Sequence, residues 1–176
     1  LDPVHFELRF APQVFACGFS WRKQPMVRQF TGVQHVQFVS TRHAAHQIQA
    51  GADLLLWGAA PVPPGLPPGL PPGLPPGVRI IRLEDGFLRS VGLGADLVRP
   101  LSWVVDDVGL YLDATRPSRL EQLLQDTAWT EDLLQRAQAL RHTIVQQGIS
   151  KYNLSGAPWQ RPPGKTCVRL VMGQVQ

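Results

Sequence analysis

A short segment in the middle of the chain brings acidic, basic and hydroxyl side chains close together. Residues 84–90 are Glu-Asp-Gly-Phe-Leu-Arg-Ser. The alternating apolar pattern of residues 78–83 predicts a strand that ends at this segment, and Gly92 and Gly94 oppose a regular element after it. A strand that runs into an irregular loop is a common place for binding and catalytic side chains. An ordinary Asp-Gly turn with a solvated Glu84–Arg89 pair would explain the same residues, and composition alone does not separate the two interpretations.

The elements that would position this segment alternate between strands and helices. Apolar runs predict buried strands, and polar stretches with helical periodicity lie between them. The predicted order is a strand over 14–19, a helix over 21–30 begun or interrupted at Pro25, a strand over 35–39, a helix over 41–50 that stops at Gly51, and a strand over 53–58. This alternation predicts a parallel α/β layer.

The second half of the chain predicts mainly helical support. Residues 103–112 are typical of two short strands about a turn. Ser118 and Glu121 have capping-box spacing ahead of an apolar run, and a second helix is predicted from Thr130 to about Gln147. Its apolar positions fall on one helical face: Leu133, Leu134, Ala137, Leu140 and Ile144.

Two pairs of side chains suggest a metal site, and neither pair is convincing. Asp106 and Asp107 are adjacent, but turn formation explains them more simply. His43 and His46 would share a helical face without a further ligand nearby. Motifs for a phosphate-binding loop, a dinucleotide-binding fold and a serine-hydrolase elbow are also missing from the sequence. We therefore expect neither a metal nor a cofactor.

Composition limits the class of protein. The chain has 176 residues, of which 44% are hydrophobic and 17% charged, as in one globular domain. A formal charge of +4 from scattered arginines favours anionic small substrates or membrane headgroups over nucleic acid. Cys17 and Cys167 lack partners at metal spacing, which predicts buried thiols in a reducing compartment. The sequence shows neither an export leader nor an apolar span, so we expect a cytoplasmic protein, at most peripheral at the inner membrane.

A proline-rich repeat separates the predicted strand at 53–58 from the central segment. Residues 63–77 repeat Pro-Pro-Gly-Leu with a period of four, whereas collagen requires glycine at every third position. The proline density excludes both a helix and a central strand. We interpret residues 61–77 as an insertion in a surface loop.

Several motifs, in order along most of the chain, resemble the KpsC family of bacterial capsule proteins. The longest runs from Glu84 to Gly94, which includes the central segment of residues 84–90, and continues through residues 96–102, 104–107 and 113–118. Trp57-Gly58, residues 150–154 and the closing residues 173–175 resemble the same family. Two features depart from it: the proline-rich repeat, and Met172 where a proline is expected before Gly173.

The resemblance implies a fold and an activity. The implied fold class is α/β: a Rossmann-like N-terminal lobe of a GT-B type glycosyltransferase, truncated before the nucleotide-binding lobe. KpsC-type proteins transfer Kdo, an acidic eight-carbon sugar, from CMP-Kdo to a lipid-linked acceptor glycan with retention of configuration. Retention by two successive inversions needs a carboxylate nucleophile. The family motif assigns that role to Asp85, with Glu84 as its catalytic neighbour, and implies substrate binding by Gly86, Arg89, Ser90, Arg99, Lys151, Tyr152 and Asn153.

The same resemblance predicts the domain organisation and the partners. We expect an acceptor-side lobe over 1–148, a linker over 149–164 in which Lys151 to Asn153 are either substrate contacts or a hinge, and the first strand of a truncated second lobe over 165–176. Such a fragment is expected to be inactive alone. Partners would be CMP-Kdo, the acceptor glycolipid, the inner-membrane surface and capsule assembly proteins, but not nucleic acid. A noncatalytic docking component of capsule export and a decayed fragment are the alternatives.

Overall fold

Five strands form one mixed sheet in the order β2-β1-β3-β4-β5. The computed structural model describes residues 8–40, 47–63, 77–157, 160–164 and 167. The strands are β1 (Val14–Cys17), β2 (Val36–Val39), β3 (Asp53–Trp57), β4 (Arg79–Asp85) and β5 (Trp103–Asp106). The first four run parallel, and β5 pairs with β4 in the antiparallel direction. The predicted parallel α/β layer is therefore confirmed.

The strand order places a crevice at the carboxyl ends of the strands. β2 lies on one side of β1 in the sheet, and β3 lies on the other side of β1. The strand order therefore reverses direction at β1 and β3. In open α/β sheets such a switch point opens the crevice in which ligands bind. β4 follows β3 in the sheet and ends at Asp85, so the central segment begins at this edge.

Apolar side chains cover both faces of the sheet. Leu54, Leu55 and Leu56 are all 0% exposed, which is the pattern of a parallel strand buried on both sides. Leu54 and Leu56 pack with Phe15 and Ile48 on one face, and Leu55 packs on the other face with a cluster that includes Val27 of the first helix. Burial of each such side chain contributes about 1.5–3 kcal/mol.

In the described part of the chain, three α-helices lie where the sequence predicts them. They are α1 (Gln24–Thr31), α2 (Arg119–Asp126) and α3 (Glu131–Gln146). α1 begins just before Pro25, and the capping box of α2 is formed in both directions between Ser118 and Glu121. Gly148, at φ +61°, follows the end of α3. Within the described ranges, no helix combines the length and apolar character needed to cross a bilayer.

Two sequence predictions are wrong, and several others concern residues outside the described ranges. Residues after Asp106 form turns rather than a second strand, because the Asp106 carboxylate accepts the backbone N–H groups of Val108 and Gly109. Cys17 is buried as predicted, but Cys167 is exposed. The following lie outside the described residues: His43 and His46 with most of the 41–50 helix, most of the 61–77 insertion, and most of the strand predicted over 165–176.

Asp106 and Asp107 make contacts within the protein that account for both carboxylates. Asp106 is 1% exposed and also accepts the backbone N–H of Arg119 at 2.9 Å, which joins β5 to the start of α2. Asp107 forms an ion pair with the Arg119 side chain at 2.9 Å. These contacts agree with the turn interpretation of the two aspartates.

We expect Asp106→Asn to destabilise the protein by about 2–4 kcal/mol, because the new amide would direct N–H groups at backbone donors in a buried position. Asp107→Asn, next to the partly exposed side chain of Arg119, should cost less than about 1 kcal/mol. Urea unfolding of the two variants measures both values. Equal losses would contradict the structural role assigned to Asp106.

Candidate functional site

The site is built at the carboxyl ends of β3 and β4. Gly58 follows β3 at φ +50°, and its N–H donates to the Leu83 carbonyl oxygen at 2.8 Å. A Cβ atom at Gly58 would lie 2.7 Å from Glu84 Oε2, so a glycine here leaves room for that carboxylate. The Trp57-Gly58 motif and the central segment are therefore neighbours in space.

Asp85 presents its carboxylate at the end of β4. Arg89 Nε donates to Asp85 Oδ2 at 2.7 Å, and the Asp85 side chain is 20% exposed. Its backbone is held on both sides: the N–H donates to Glu84 Oε1 at 2.9 Å, and the carbonyl oxygen accepts the Tyr111 hydroxyl at 3.2 Å. In the described part of the chain, no residue bonds the second carboxylate oxygen, Oδ1. That oxygen is available to a ligand.

Arg89 and Ser90 are buried and support the loop of residues 86–102 that joins β4 to β5. Arg89 is 7% exposed; its Nη1 donates to Ser90 Oγ at 2.9 Å and to the Val98 carbonyl oxygen at 3.1 Å. Ser90 is 1% exposed and donates its hydroxyl to the Gly92 carbonyl oxygen at 2.7 Å. The solvated Glu84–Arg89 pair considered from the sequence is not formed, because Arg89 is buried against Asp85.

Gly86 sits where the loop returns against β5. Its N–H donates to the Ser102 carbonyl oxygen at 3.0 Å, and the Ser102 hydroxyl donates to the Leu88 carbonyl oxygen at 2.6 Å. A Cβ atom at Gly86 would lie 2.8 Å from Ser102 Cβ and 3.0 Å from its backbone carbonyl carbon. Gly86 therefore serves the packing that sets the position of the neighbouring Asp85.

Residues Lys151 to Asn153 pack directly on the loop. The Lys151 carbonyl oxygen accepts the N–H groups of Arg89 and Ser90 at 2.8 and 3.2 Å. Asn153, at φ +47°, donates its side-chain amide to the Ser90 carbonyl oxygen at 3.0 Å. These contacts tie the segment after α3 to the segment after β4, mainly through the backbone.

Arg99 shares a pocket with Arg89 on the side of the loop that faces α1. Its guanidinium donates to the Gln29 side chain of α1. The pocket has a volume of about 370 Å³. All nine residues predicted for the site are thus in this region: Asp85 and Glu84 at the strand end, Gly86, Arg89 and Ser90 in the loop, Lys151 to Asn153 against it, and Arg99 at the pocket.

Sequence reasoning missed Lys23 and Tyr111. The Lys23 ammonium lies 3.4 Å from the centroid of the Trp57 ring, and burial lowers its pKa while Asp85 and Glu84 act to raise it. Burial raises the pKa of the Tyr111 hydroxyl, and the same two carboxylates raise it further. Lys23 follows the carboxyl end of β1, so the rule that ligands bind at these strand ends could have identified it.

Comparison with known proteins supports the resemblance seen in the sequence. The family model described as capsule polysaccharide biosynthesis protein matches residues 75–167. The chain is 33% identical to the capsule polysaccharide modification protein LipA of Neisseria meningitidis over 93% of its own length and 23% of LipA. It is 35% identical to the lipopolysaccharide-processing protein LpsZ of Rhizobium meliloti, over 89% of its length and 37% of LpsZ.

Two solved structures from Thermosulfurimonas dismutans are also similar. KpsC, beta Kdo 2,4 transferase, aligns with a TM-score of 0.63 and 32% identity, over 89% of this chain and 46% of that one. KpsC, beta Kdo 2,7 transferase, aligns with a TM-score of 0.59 and 29% identity, over 76% and 43%. The chain spans less than half the length of each of these relatives and structures.

Proposed function

Since this chain belongs to the capsule polysaccharide biosynthesis protein family and has a KpsC-type α/β fold, we propose that the complete protein is a retaining β-Kdo transferase. It moves Kdo from CMP-Kdo to the glycolipid anchor of a bacterial capsule. The residues described here form the acceptor-side lobe of its GT-B arrangement, and the nucleotide is held by a second lobe. Because the acceptor carries a lipid, the reaction takes place at the inner-membrane surface, where capsule assembly proteins are partners.

One observation carries the proposal: Asp85 has one carboxylate oxygen bound to Arg89 and the other without a partner among the described residues. The bound oxygen fixes the orientation of the carboxylate, and the other is placed to react. A carboxylate held in this way at a strand end has the features of a nucleophile in retaining sugar transfer.

The proposed reaction has two displacements at the anomeric carbon of Kdo. Asp85 Oδ1 attacks that carbon, and the bond to the phosphate oxygen breaks, so CMP leaves with the electron pair. An acceptor hydroxyl then attacks the same carbon from the opposite face, its proton passes to water, and the Asp85 carboxylate is released. Two inversions restore the configuration of the donor.

The neighbouring residues have distinct parts in this scheme. Glu84 accepts the Asp85 N–H, and Arg89 fixes the carboxylate, so both act as positioning residues. Ser90 is buried, and Lys151 and Asn153 bond to the loop, which favours support over direct substrate contact. Arg99, exposed at the pocket, is the residue of the predicted set best placed to meet a substrate anion.

Trapping the covalent intermediate tests the proposal. The complete protein is incubated with CMP-Kdo without acceptor, quenched in acid and digested, and the peptides are measured by mass spectrometry. We expect the mass of one Kdo residue on the peptide that contains Asp85, and no such mass in the Asp85→Asn variant. Transfer activity with the sugar found on another residue would reject Asp85 as the nucleophile, and an absence of any transfer would reject the function.

A further inference from the structure

A pocket beside the proposed nucleophile collects positive charge. It lies between the start of α1 and the loop at residues 94–100, and its volume of about 370 Å³ is at the small end of the range for ligand pockets. Pro25, Met26, Leu97 and Val98 supply apolar walls. Four cations line it: Arg22, Lys23, Arg89 and Arg99.

Among the residues that the structure describes, one of these four cations has a carboxylate partner. Arg89 is paired with Asp85, which neutralises it. The other three contact neutral groups: Lys23 the Trp57 ring, Arg22 the Trp21 ring at 5.0 Å, and Arg99 the Gln29 side chain. Among the described residues, the ion pairs involve none of these three. Asp85 and Glu84 offset part of the Lys23 charge without pairing with it. Arg22 and Arg99 add positive charge that no ion pair among the described residues neutralises, so the pocket favours an anion.

The position of Lys23 is defined by an aromatic cluster. Trp57 contacts Trp103 edge-on at a centroid distance of 4.9 Å, and Trp103 stacks on Phe30 of α1 at 4.7 Å. An ammonium placed on a ring that is itself held in this way is fixed before a ligand arrives. The burial that lowers the Lys23 pKa would be opposed by a bound anion, which favours the charged form.

We propose that this pocket binds the carboxylate of an acidic sugar, with Lys23 and Arg99 as the recognising residues and Arg22 at the rim. The inference rests on the proposed function and extends it to the means by which the substrate is selected. The pocket size suits a single sugar residue, and the apolar walls can cover the C–H faces of its ring. Arg89 connects the pocket to the proposed nucleophile, since it lines the pocket and donates a hydrogen bond to Asp85 at 2.7 Å. The carboxylate can belong to donor Kdo or to a Kdo at the end of the acceptor.

Steady-state kinetics of the complete protein distinguishes these two sources. Lys23→Met and Arg99→Met remove a charge while keeping an extended side chain, and Arg136→Met, on the exposed surface of α3, is the matched control. We expect KM to rise at least about 10-fold for the substrate whose carboxylate is bound, with kcat within a few-fold of wild type. A higher KM for CMP-Kdo would show that the pocket binds the donor carboxylate, and a higher KM for the acceptor would show that it binds the acceptor carboxylate. Unchanged KM values for both substrates overturn the proposal.

A binding measurement separates failure of this inference from failure of the proposed function. Calorimetry of the complete protein compares free Kdo with the analogue in which the carboxylate is reduced to an alcohol. We expect the analogue to bind at least about 10-fold more weakly to wild type, and Lys23→Met to lose most of this preference. A preference for Kdo without transfer would support carboxylate binding by the pocket and reject the transferase function. Transfer together with equal affinity for the two sugars would reject carboxylate binding by the pocket.

Discussion

Replacing Asp85 by asparagine in the complete protein is expected to lower the rate of Kdo transfer at least about 10³-fold. The amide has the shape of the carboxylate but cannot form a stable bond to the anomeric carbon. The measurement is the initial rate of transfer from CMP-Kdo at saturating substrate concentrations. Turnover close to wild type would reject the nucleophilic role.

The ion pair with Arg89 complicates this variant, and the structure offers a control. Arg89 is 7% exposed, so loss of the Asp85 charge should also reduce stability, by about 1–3 kcal/mol. Arg89→Lys disturbs the same ion pair but keeps the carboxylate. If the loss of activity in Asp85→Asn came from weakened packing, both variants would lose activity in proportion to their stability. We expect Arg89→Lys to retain far more activity at a similar cost in stability.

Gly86→Ala is expected to reduce transfer at least about 10-fold and to destabilise the fold by about 1–3 kcal/mol. The added methyl would lie 2.8 Å from Ser102 Cβ and 3.0 Å from the Ser102 backbone carbon, and closer still to its hydroxyl. Gly86 must then move away from β5, and the neighbouring Asp85 moves with it. Transfer rates and urea unfolding of the same preparations measure the two effects.

A second substitution tests whether this steric contact is the cause. Ser102→Gly removes the nearer side-chain atoms but leaves the backbone carbon, so the double variant should recover part of the lost stability and activity. Gly156→Ala is the control, since a Cβ atom there would meet nothing within 4 Å. A double variant no better than Gly86→Ala would show that the contact with the Ser102 side chain is not responsible.

Local patterns predicted the elements that flank the site. The apolar run at residues 53–57 and the alternation at 79–83 depend on neighbours along the chain, and both became strands in the parallel part of the mixed sheet. The capping box of Ser118 and Glu121 is equally local, since its two hydrogen bonds span three residues. The predicted second strand after Asp106 failed because its carboxylate binds the following N–H groups, which side-chain periodicity does not reveal.

The sequence by itself therefore determined a parallel α/β layer and an acidic segment, Glu84-Asp85, at the end of one of its strands. Only the tertiary structure decided that Arg89 pairs with Asp85, that Lys151 bonds to Arg89 across some sixty residues, and that Lys23 joins the pocket from the end of β1. The apolar patterns that predict strands, and the hydrogen bonds of helix caps, involve residues close in sequence. A site at a switch point brings together chain segments whose order in the sheet differs from their order in the sequence.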